Sequence, residues 1–231
     1  MEITSSLHVQ PRQWVTRVAA MDQLSSTGYA LQLERGGLVF RPGQLVNLHG
    51  RDHLEDRSYT ICSGDRDEFL TVLFRLIPSG ILTPQLVALR VGDALTISGP
   101  YGEFMLRDAA RPIFFFATGT GVAPCRAYLR SFAGLDLTLV HGVRREEDLF
   151  YREEFSAITY QPCLTAEPGV SGVFHGRVTD YAREHSFPPD SHFYLCGANE
   201  MIYEMQEILS ARGVAKEQVF TEAYYYRSDD A

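Results

Sequence analysis

The spacing of apolar and polar positions divides the chain in two. Up to about Leu106, short stretches at 14–21, 29–33, 44–48, 58–63, 69–76 and 94–98 show partial alternation of apolar and polar residues. Turn-forming residues separate them: Ser25-Ser26-Thr27-Gly28, Gly36-Gly37, Pro42-Gly43, Gly64-Asp65 and Pro78-Ser79-Gly80. Short strands at this spacing predict an antiparallel β-barrel or sandwich. One helical piece interrupts at 83–89, with Thr83 suited to cap it and Pro84 suited to its first position.

After Arg107 the pattern changes. Ile113, Phe114, Phe115 and Phe116 form an unbroken apolar run, which reads as a strand buried on both faces. Further runs at 135–140, 161–164 and 192–195 alternate with helical periodicity at 122–132, 146–158, 178–184 and 200–212, the last closed by Gly213. Alternating strands and helices predict a parallel sheet with helices on both faces. Ligands then sit beyond the C-terminal strand ends, which here are 118–121, His141-Gly142, Thr165 and Cys196-Gly197. The boundary falls between Leu106 and Arg111, giving a barrel domain at 1–108 and an α/β domain with a C-terminal tail at 109–231.

The turn after the phenylalanine strand is the most informative stretch. Thr118-Gly119-Thr120-Gly121 leads into a helical segment with Pro124 near its start, where the missing N–H costs little. A strand, a glycine turn and a helix N-terminus together can bind an anion through free N–H groups and the positive dipole end. The spacing is Gly-x-Gly-x-x-Pro, so it is not the standard dinucleotide fingerprint.

Composition narrows the partners. The 231 residues are 45% hydrophobic and 22% charged, ordinary globular values, with a net charge of −8. That balance argues against nucleic acid or anionic lipid as a partner. The first residues lack an apolar leader core, and no apolar run approaches a membrane span. Cys62, Cys125, Cys163 and Cys196 are far apart without a Cys-x-x-Cys pair, which argues against a metal or cluster and fits reduced thiols in a cytoplasm.

Five motifs in order then carry a resemblance. Arg57-Ser58-Tyr59-Thr60 resembles the Arg-x-Tyr-Ser/Thr flavin motif of the ferredoxin–NADP reductase superfamily. The segment Gly80-Ile81-Leu82-Thr83-Pro84-Gln85-Leu86 resembles its Gly-x-x-Ser/Thr-x-x-Leu element, and Gly99-Pro100-Tyr101-Gly102 its domain-end loop. The run from Thr118 to Pro124 resembles its nicotinamide-nucleotide turn, and Tyr194-Leu195-Cys196-Gly197 its Cys-Gly motif. Overall the chain looks most like the compact bacterial ferredoxin/flavodoxin–NADP reductases.

The resemblance implies FAD as cofactor, NADP(H) as substrate with NAD(H) possible, and ferredoxin or flavodoxin as electron partner of a monomer. Arg57 would hold a flavin phosphate, Ser58 would belong to the same motif, Tyr59 would stack on the flavin, and Thr60 would face its N5. Gly80 and Leu82 would contribute backbone, and Thr83 would hold the second phosphate. Thr118, Gly119, Thr120, Gly121 and Gly197 would bind the nucleotide. Cys196 would orient electron transfer without acting as a nucleophile, Glu222 would be the carboxylate near the flavin, and Tyr224 would cover the flavin's second face, with Tyr225 as the alternative. Relatives that use NADP carry an arginine where this chain has Ala166, so Arg144, Arg145 and Arg177, with Thr165, are the candidates for the 2′-phosphate. Arg126 and Arg130, four apart on one helix face, are candidates for docking an acidic carrier, with Arg107 and Arg111 near the domain junction. The rival readings are a reductase component of an oxygenase, a flavin reductase and a non-catalytic electron-transfer subunit.

Overall fold

The computed structural model describes residues 11–51 and 55–224, so residues 1–10 and the tail tyrosines Tyr225 and Tyr226 lie outside the described residues. The first half forms strands β1 (Arg12–Gln23), β2 (Gly28–Glu34), β3 (Leu45–His49), β4 (Asp56–Thr60) and β5 (Phe69–Arg75), then helix α1 (Leu82–Val87) and strand β6 (Ala94–Tyr101). They make one antiparallel sheet in the order β4-β3-β6-β1-β2-β5. A bridge between Ile61 and Val72 brings its two edges together, so the barrel is nearly closed.

Strand β1 is longer than the alternation suggested because it serves two neighbours. Residues 12–17 pair with β6 and residues 18–23 with β2, and the register shifts between Val18 and Ala20. A bulge of this kind bends and twists a strand, which lets it pass from one side of a barrel to the other. Inward positions alternate as expected: Val46 and Leu48 on β3 are fully buried, as are Leu31, Leu33, Leu70 and Val72. Each such side chain contributes about 1.5–3 kcal/mol by leaving water. Leu82 and Leu86 of α1 close one end of this core.

The second half forms β7 (Ile113–Thr118), α2 (Ala123–Ser131), β8 (Leu137–Val143), β9 (Thr159–Leu164), β10 (Phe174–His175), α3 (Val178–Glu184), β11 (His192–Gly197), α4 (Asn199–Ala211) and β12 (Val219–Ala223). All are parallel in the order β10-β9-β8-β7-β11-β12. The phenylalanine strand β7 is central, and the chain leaves it toward β8 before crossing back to β11. That reversal opens a crevice at the C-terminal ends of β7 and β11.

Two features depart from the sequence pattern. The helix expected at 146–158 is two separate 3-10 turns, Glu146–Asp148 and Arg152–Ala157, with Tyr151 between them in a left-handed conformation, φ 60°. Glu147 accepts hydrogen bonds from the Ser26 N–H and hydroxyl at 3.0 and 2.9 Å, and Asp148 accepts one from the Ser25 hydroxyl at 2.8 Å. Phe150 fills the space beside Gly28, where a Cβ would come within 2.3 Å of its ring. Positions 147, 148 and 150 all turn to the barrel, a set that no single helix face presents. Strand β12 was legible only as a motif. It pairs with β11 so that Glu222 lies beside Cys196 and Ala223 beside Gly197.

Candidate functional site: two cavities divided by a glycine turn

Strand β4 presents Arg57 and Tyr59 half-buried and Thr60 buried at the barrel rim. Arg57 Nη1 donates to Glu55 Oε2 at 2.5 Å and to the Asp56 carbonyl at 2.8 Å, while the Ser58 hydroxyl donates to Asn47 at 2.7 Å. The Tyr59 ring meets Phe74 edge-on at 6.1 Å. Across from them, Gly80 N–H closes a turn on the Ile77 carbonyl at 2.9 Å. Thr83 is the second residue of α1, and its hydroxyl accepts from Ile77 N–H at 2.9 Å and donates to the Ile77 carbonyl at 3.2 Å. Thr83 is therefore not the cap of this helix: Ile81 occupies that position, and the threonine hydroxyl shapes the 77–81 loop. These elements, with Leu82, Thr120, Glu222 and Tyr224, enclose a cavity of about 470 Å³.

The inner wall of this cavity joins the two domains. The Thr60 hydroxyl donates to Glu222 Oε1 at 2.6 Å, across 162 positions of sequence. Glu222 Oε2 is buried and has no hydrogen-bond partner among the described residues. Burial raises the Glu222 carboxyl to about 7, against the opposing effect of the Thr60 hydrogen bond. Cys196, its neighbour across the β11–β12 ladder, is fully buried. Burial, and then the nearby Glu222 charge, push the Cys196 thiol up, so it stays neutral and is a poor nucleophile. Tyr224 N–H donates to the Gly197 carbonyl at 2.9 Å, which sets the tyrosine at the cavity wall.

Two glycines allow this wall to form. A Cβ on Gly121 would sit 2.3 Å from the Cys196 carbonyl oxygen. Gly197 has φ +133°, and a Cβ there would lie 2.1 Å from Thr118 Oγ1. Gly121 and Gly197 thus bring the turn after β7 against the end of β11, and Thr118 Oγ1 accepts from Ala198 N–H at 2.9 Å across the same seam. Gly119 differs: its φ is +53° and the space where a side chain would stand is open. Of the glycines expected to meet a nucleotide, Gly119 faces open space, whereas Gly121 is occupied by packing against Cys196.

The second cavity, about 500 Å³, opens at the strand ends on the other side of the turn. Thr118, Gly119, Arg144, Thr165 and Arg177 line it together, with Gly142 and the start of α4. Arg145 is not part of that wall; it precedes the 146–148 turn and is exposed. Sequence reasoning missed Arg75, which lines both cavities. It donates to Thr27 Oγ1 at 3.1 Å and lies 3.7 Å from buried Asp148. It ends β5 and is followed by Leu76, Ile77 and the Pro78 turn, a local context that gives no sign of a site.

Arg126 and Arg130 are committed elsewhere. Arg126 pairs with Glu154 at 2.8 Å, donates to the Cys62 carbonyl at 2.9 Å and lies over the Tyr151 ring at 4.0 Å. Arg130 pairs with Asp67 at 2.6 Å and Glu154 at 3.3 Å. Both join α2 to neighbouring elements, including the barrel, rather than forming a free basic face. Among the described residues no helix is long and apolar enough to cross a membrane, and no cluster of metal-ligating side chains is present.

Residues 20–106 match the family model of the oxidoreductase FAD-binding domain, and residues 115–207 that of the oxidoreductase NAD-binding domain. The chain is 30% identical over 223 residues to the toluate 1,2-dioxygenase electron transfer component of Pseudomonas putida, covering 90% of this chain and 66% of that protein. It is 31% identical over 235 residues to the reductase component of propane 2-monooxygenase from Mycolicibacterium goodii, covering 90% and 67%. The chain thus spans about two thirds of the length of these relatives. A ferredoxin–NADP+ reductase from Neisseria gonorrhoeae, with bound FAD and NADP, shares the fold at a TM-score of 0.83 and 18% identity, over 92% of this chain and 99% of that one. A flavin-binding barrel joined to a nucleotide-binding α/β domain defines a flavoprotein oxidoreductase. This chain belongs to the ferredoxin–NADP reductase-like family of such enzymes.

The residues present fit FAD. The rim cavity holds a flat aromatic ring in Tyr59, a guanidinium in Arg57 and, in Glu222, a buried carboxyl oxygen without a partner among the described residues. A buried polar atom of that kind calls for a hydrogen-bonding group beside it.

Proposed function

We propose that this protein takes electrons from a nicotinamide nucleotide, NADPH in preference to NADH, and passes them to a one-electron protein carrier. FAD, when bound, supplies the chemistry of accepting electrons in pairs and releasing them singly. The carrying observation is the meeting of Thr60, Cys196 and Glu222 where the two cavities approach each other across the glycine turn. Thr60 and Glu222 hold a proton within one hydrogen bond of the cavity, and a carboxyl near 7 can take or give it at neutral pH. Cys196 fills the wall between the strand ends with a neutral thiol. Tyr59 and Tyr224 offer rings for the two faces of a flavin, and Arg57 offers a fork for its phosphate. Arg144 and Arg177, with Thr165, favour a nucleotide that carries an extra phosphate.

The acceptor is a ferredoxin or flavodoxin, or the iron–sulfur or oxygenase component that such a carrier serves. The second form is favoured by the relatives named as electron transfer or reductase components of oxygenases. The test mixes FAD-loaded protein anaerobically with NADPH or NADH, follows flavin bleaching, then adds ferricyanide, ferredoxin, flavodoxin or free FMN. Bleaching followed by reduction of a protein carrier is expected. Turnover with free flavin alone would replace this reading by a flavin reductase, and absence of bleaching with either nucleotide would remove the enzymatic reading.

A further inference from the structure

A buried histidine lies under the nucleotide-side turn and takes no part in the chemistry above. His141 of β8 is 0% exposed, between Ala117 of β7 and Pro162 of β9 in the sheet. Its Nε2 is 2.9 Å from the Gly119 carbonyl and its Nδ1 is 3.3 Å from the Tyr160 hydroxyl. A carbonyl only accepts, so Nε2 carries the proton; Nδ1 is then bare and accepts from the Tyr160 O–H. Burial lowers the imidazole to about 4, so the ring is neutral and this tautomer is held across the neutral range. Tyr160 is steadied in turn by Phe155, whose ring is 5.4 Å away.

The acceptor in this chain is not an ordinary strand carbonyl. Gly119 is the left-handed residue that opens the turn and lines the strand-end cavity. A glycine with open space around it has no side chain to hold its peptide plane, and many φ/ψ values are open to it. The bond to His141 supplies that constraint. Because the peptide is planar and trans, fixing the Gly119 carbonyl toward the ring also fixes the Thr120 N–H in the opposite direction, away from the sheet interior. An anion-binding turn depends on where its N–H groups point.

We propose that His141, held by Tyr160, is a positioning residue for the nicotinamide nucleotide: it touches no ligand, but it fixes the Gly119–Thr120 peptide, whose glycine lines the cavity in which the nucleotide binds and whose threonine lines the rim cavity beside it. This rests on the reading of the strand-end cavity as the nucleotide site. The experiment compares wild type, His141→Phe, His141→Gln and Tyr160→Phe, all FAD-loaded, by nucleotide titration and by steady-state kinetics with ferricyanide. His141→Phe keeps the volume and removes the donor. It is expected to raise the nucleotide Kd and KM about tenfold while kcat stays within twofold and the visible flavin spectrum is unchanged. His141→Gln, which can still donate to Gly119, should recover binding to within about threefold of wild type. Tyr160→Phe, which removes a single hydroxyl, should weaken binding two- to fivefold, and it carries the test if His141→Phe does not fold. Unchanged nucleotide affinity in both Phe variants would overturn the proposal, as would equal losses in His141→Phe and His141→Gln. A wild-type protein that binds no nicotinamide nucleotide would overturn the site reading itself and this proposal with it.

Discussion

The two cavities share Arg75 and lie on opposite sides of one turn, yet their polar groups are committed differently. On the flavin side Thr60 is bonded to Glu222, Thr83 to Ile77, Ser58 to Asn47 and Arg57 to Glu55. The first of these bonds also ties the barrel to the C-terminal strand. On the nucleotide side Thr118, Arg75 and Glu204 are bonded as well, but neither Arg144 nor Arg177 forms an ion pair among the described residues, and Gly119 faces open space. The difference matches a resident group on one side and an exchanging one on the other. Changes at the flavin wall should alter rate and stability together. Changes at the strand ends should alter nucleotide binding and leave the fold alone.

Cys196 gives the largest expected effect and the sharpest check of the shared wall. Cys196→Ala should retain FAD, because the thiol is buried behind the rim cavity and is not part of its lining. It should slow flavin reduction by NADPH in stopped flow about tenfold to thousandfold, equivalent to about 1.4–4 kcal/mol of transition-state stabilisation. An unchanged rate would make Cys196 a core residue only.

Glu222 comes next, and it tests whether the flavin wall links protonation to folding. Its carboxyl titrates near 7 in the folded protein against 4.5 ordinarily. Between those values the unfolded chain gives up this proton while the folded chain keeps it. Stability of the flavin-free protein should therefore be highest below about pH 4.5 as far as this group is concerned, fall as pH rises toward 7, and level off above it. The contribution is on the order of 3 kcal/mol. Chemical denaturation at several pH values should show this component, and Glu222→Gln should remove it. A Gln variant with the wild-type pH dependence would place the titration elsewhere.

The contrast also explains what the sequence disclosed. The apolar run of β7, the glycine turn after it and the alternating barrel strands were legible because local pattern and tertiary role agree there. Residues 146–158 misled because Glu147, Asp148 and Phe150 are drawn to Ser25, Ser26 and Gly28, more than 100 positions away. No local periodicity records such a pull. The closeness of Thr60, Cys196 and Glu222 was legible only through the family motif, since a parallel pairing of β11 with β12 leaves no trace in spacing. Arg75 was missed for the opposite reason: its neighbours look ordinary, and only the packing of two domains puts it between two cavities.

Arg177 tests the other half of the contrast. Arg177→Ala should lower kcat/KM for NADPH relative to NADH by about 1.5–3 kcal/mol, as for hydrogen bonds to a charged group. The thermal midpoint should stay the same within about a degree, because no ion pair is lost. If the wild type already favours NADH, Ala166 is the informative residue and Arg144 and Arg177 serve another role.

Arg130 carries the smallest expected effect, and it decides between a structural and a docking role for the α2 arginines. The charge count made a basic docking face attractive on a protein of net charge −8. The side chain instead bridges Asp67 of the barrel region and Glu154, and it is 38% exposed. Pairs exposed to this degree contribute little, roughly 0–1 kcal/mol, and salt weakens them. Arg130→Ala should therefore cost at most about 1 kcal/mol in denaturant unfolding at low salt, with the difference shrinking as salt is added. Reduction of a ferredoxin and of ferricyanide should both stay within twofold of wild type. A selective loss of ferredoxin reduction, with ferricyanide reduction and stability intact, would return Arg130 to the docking surface.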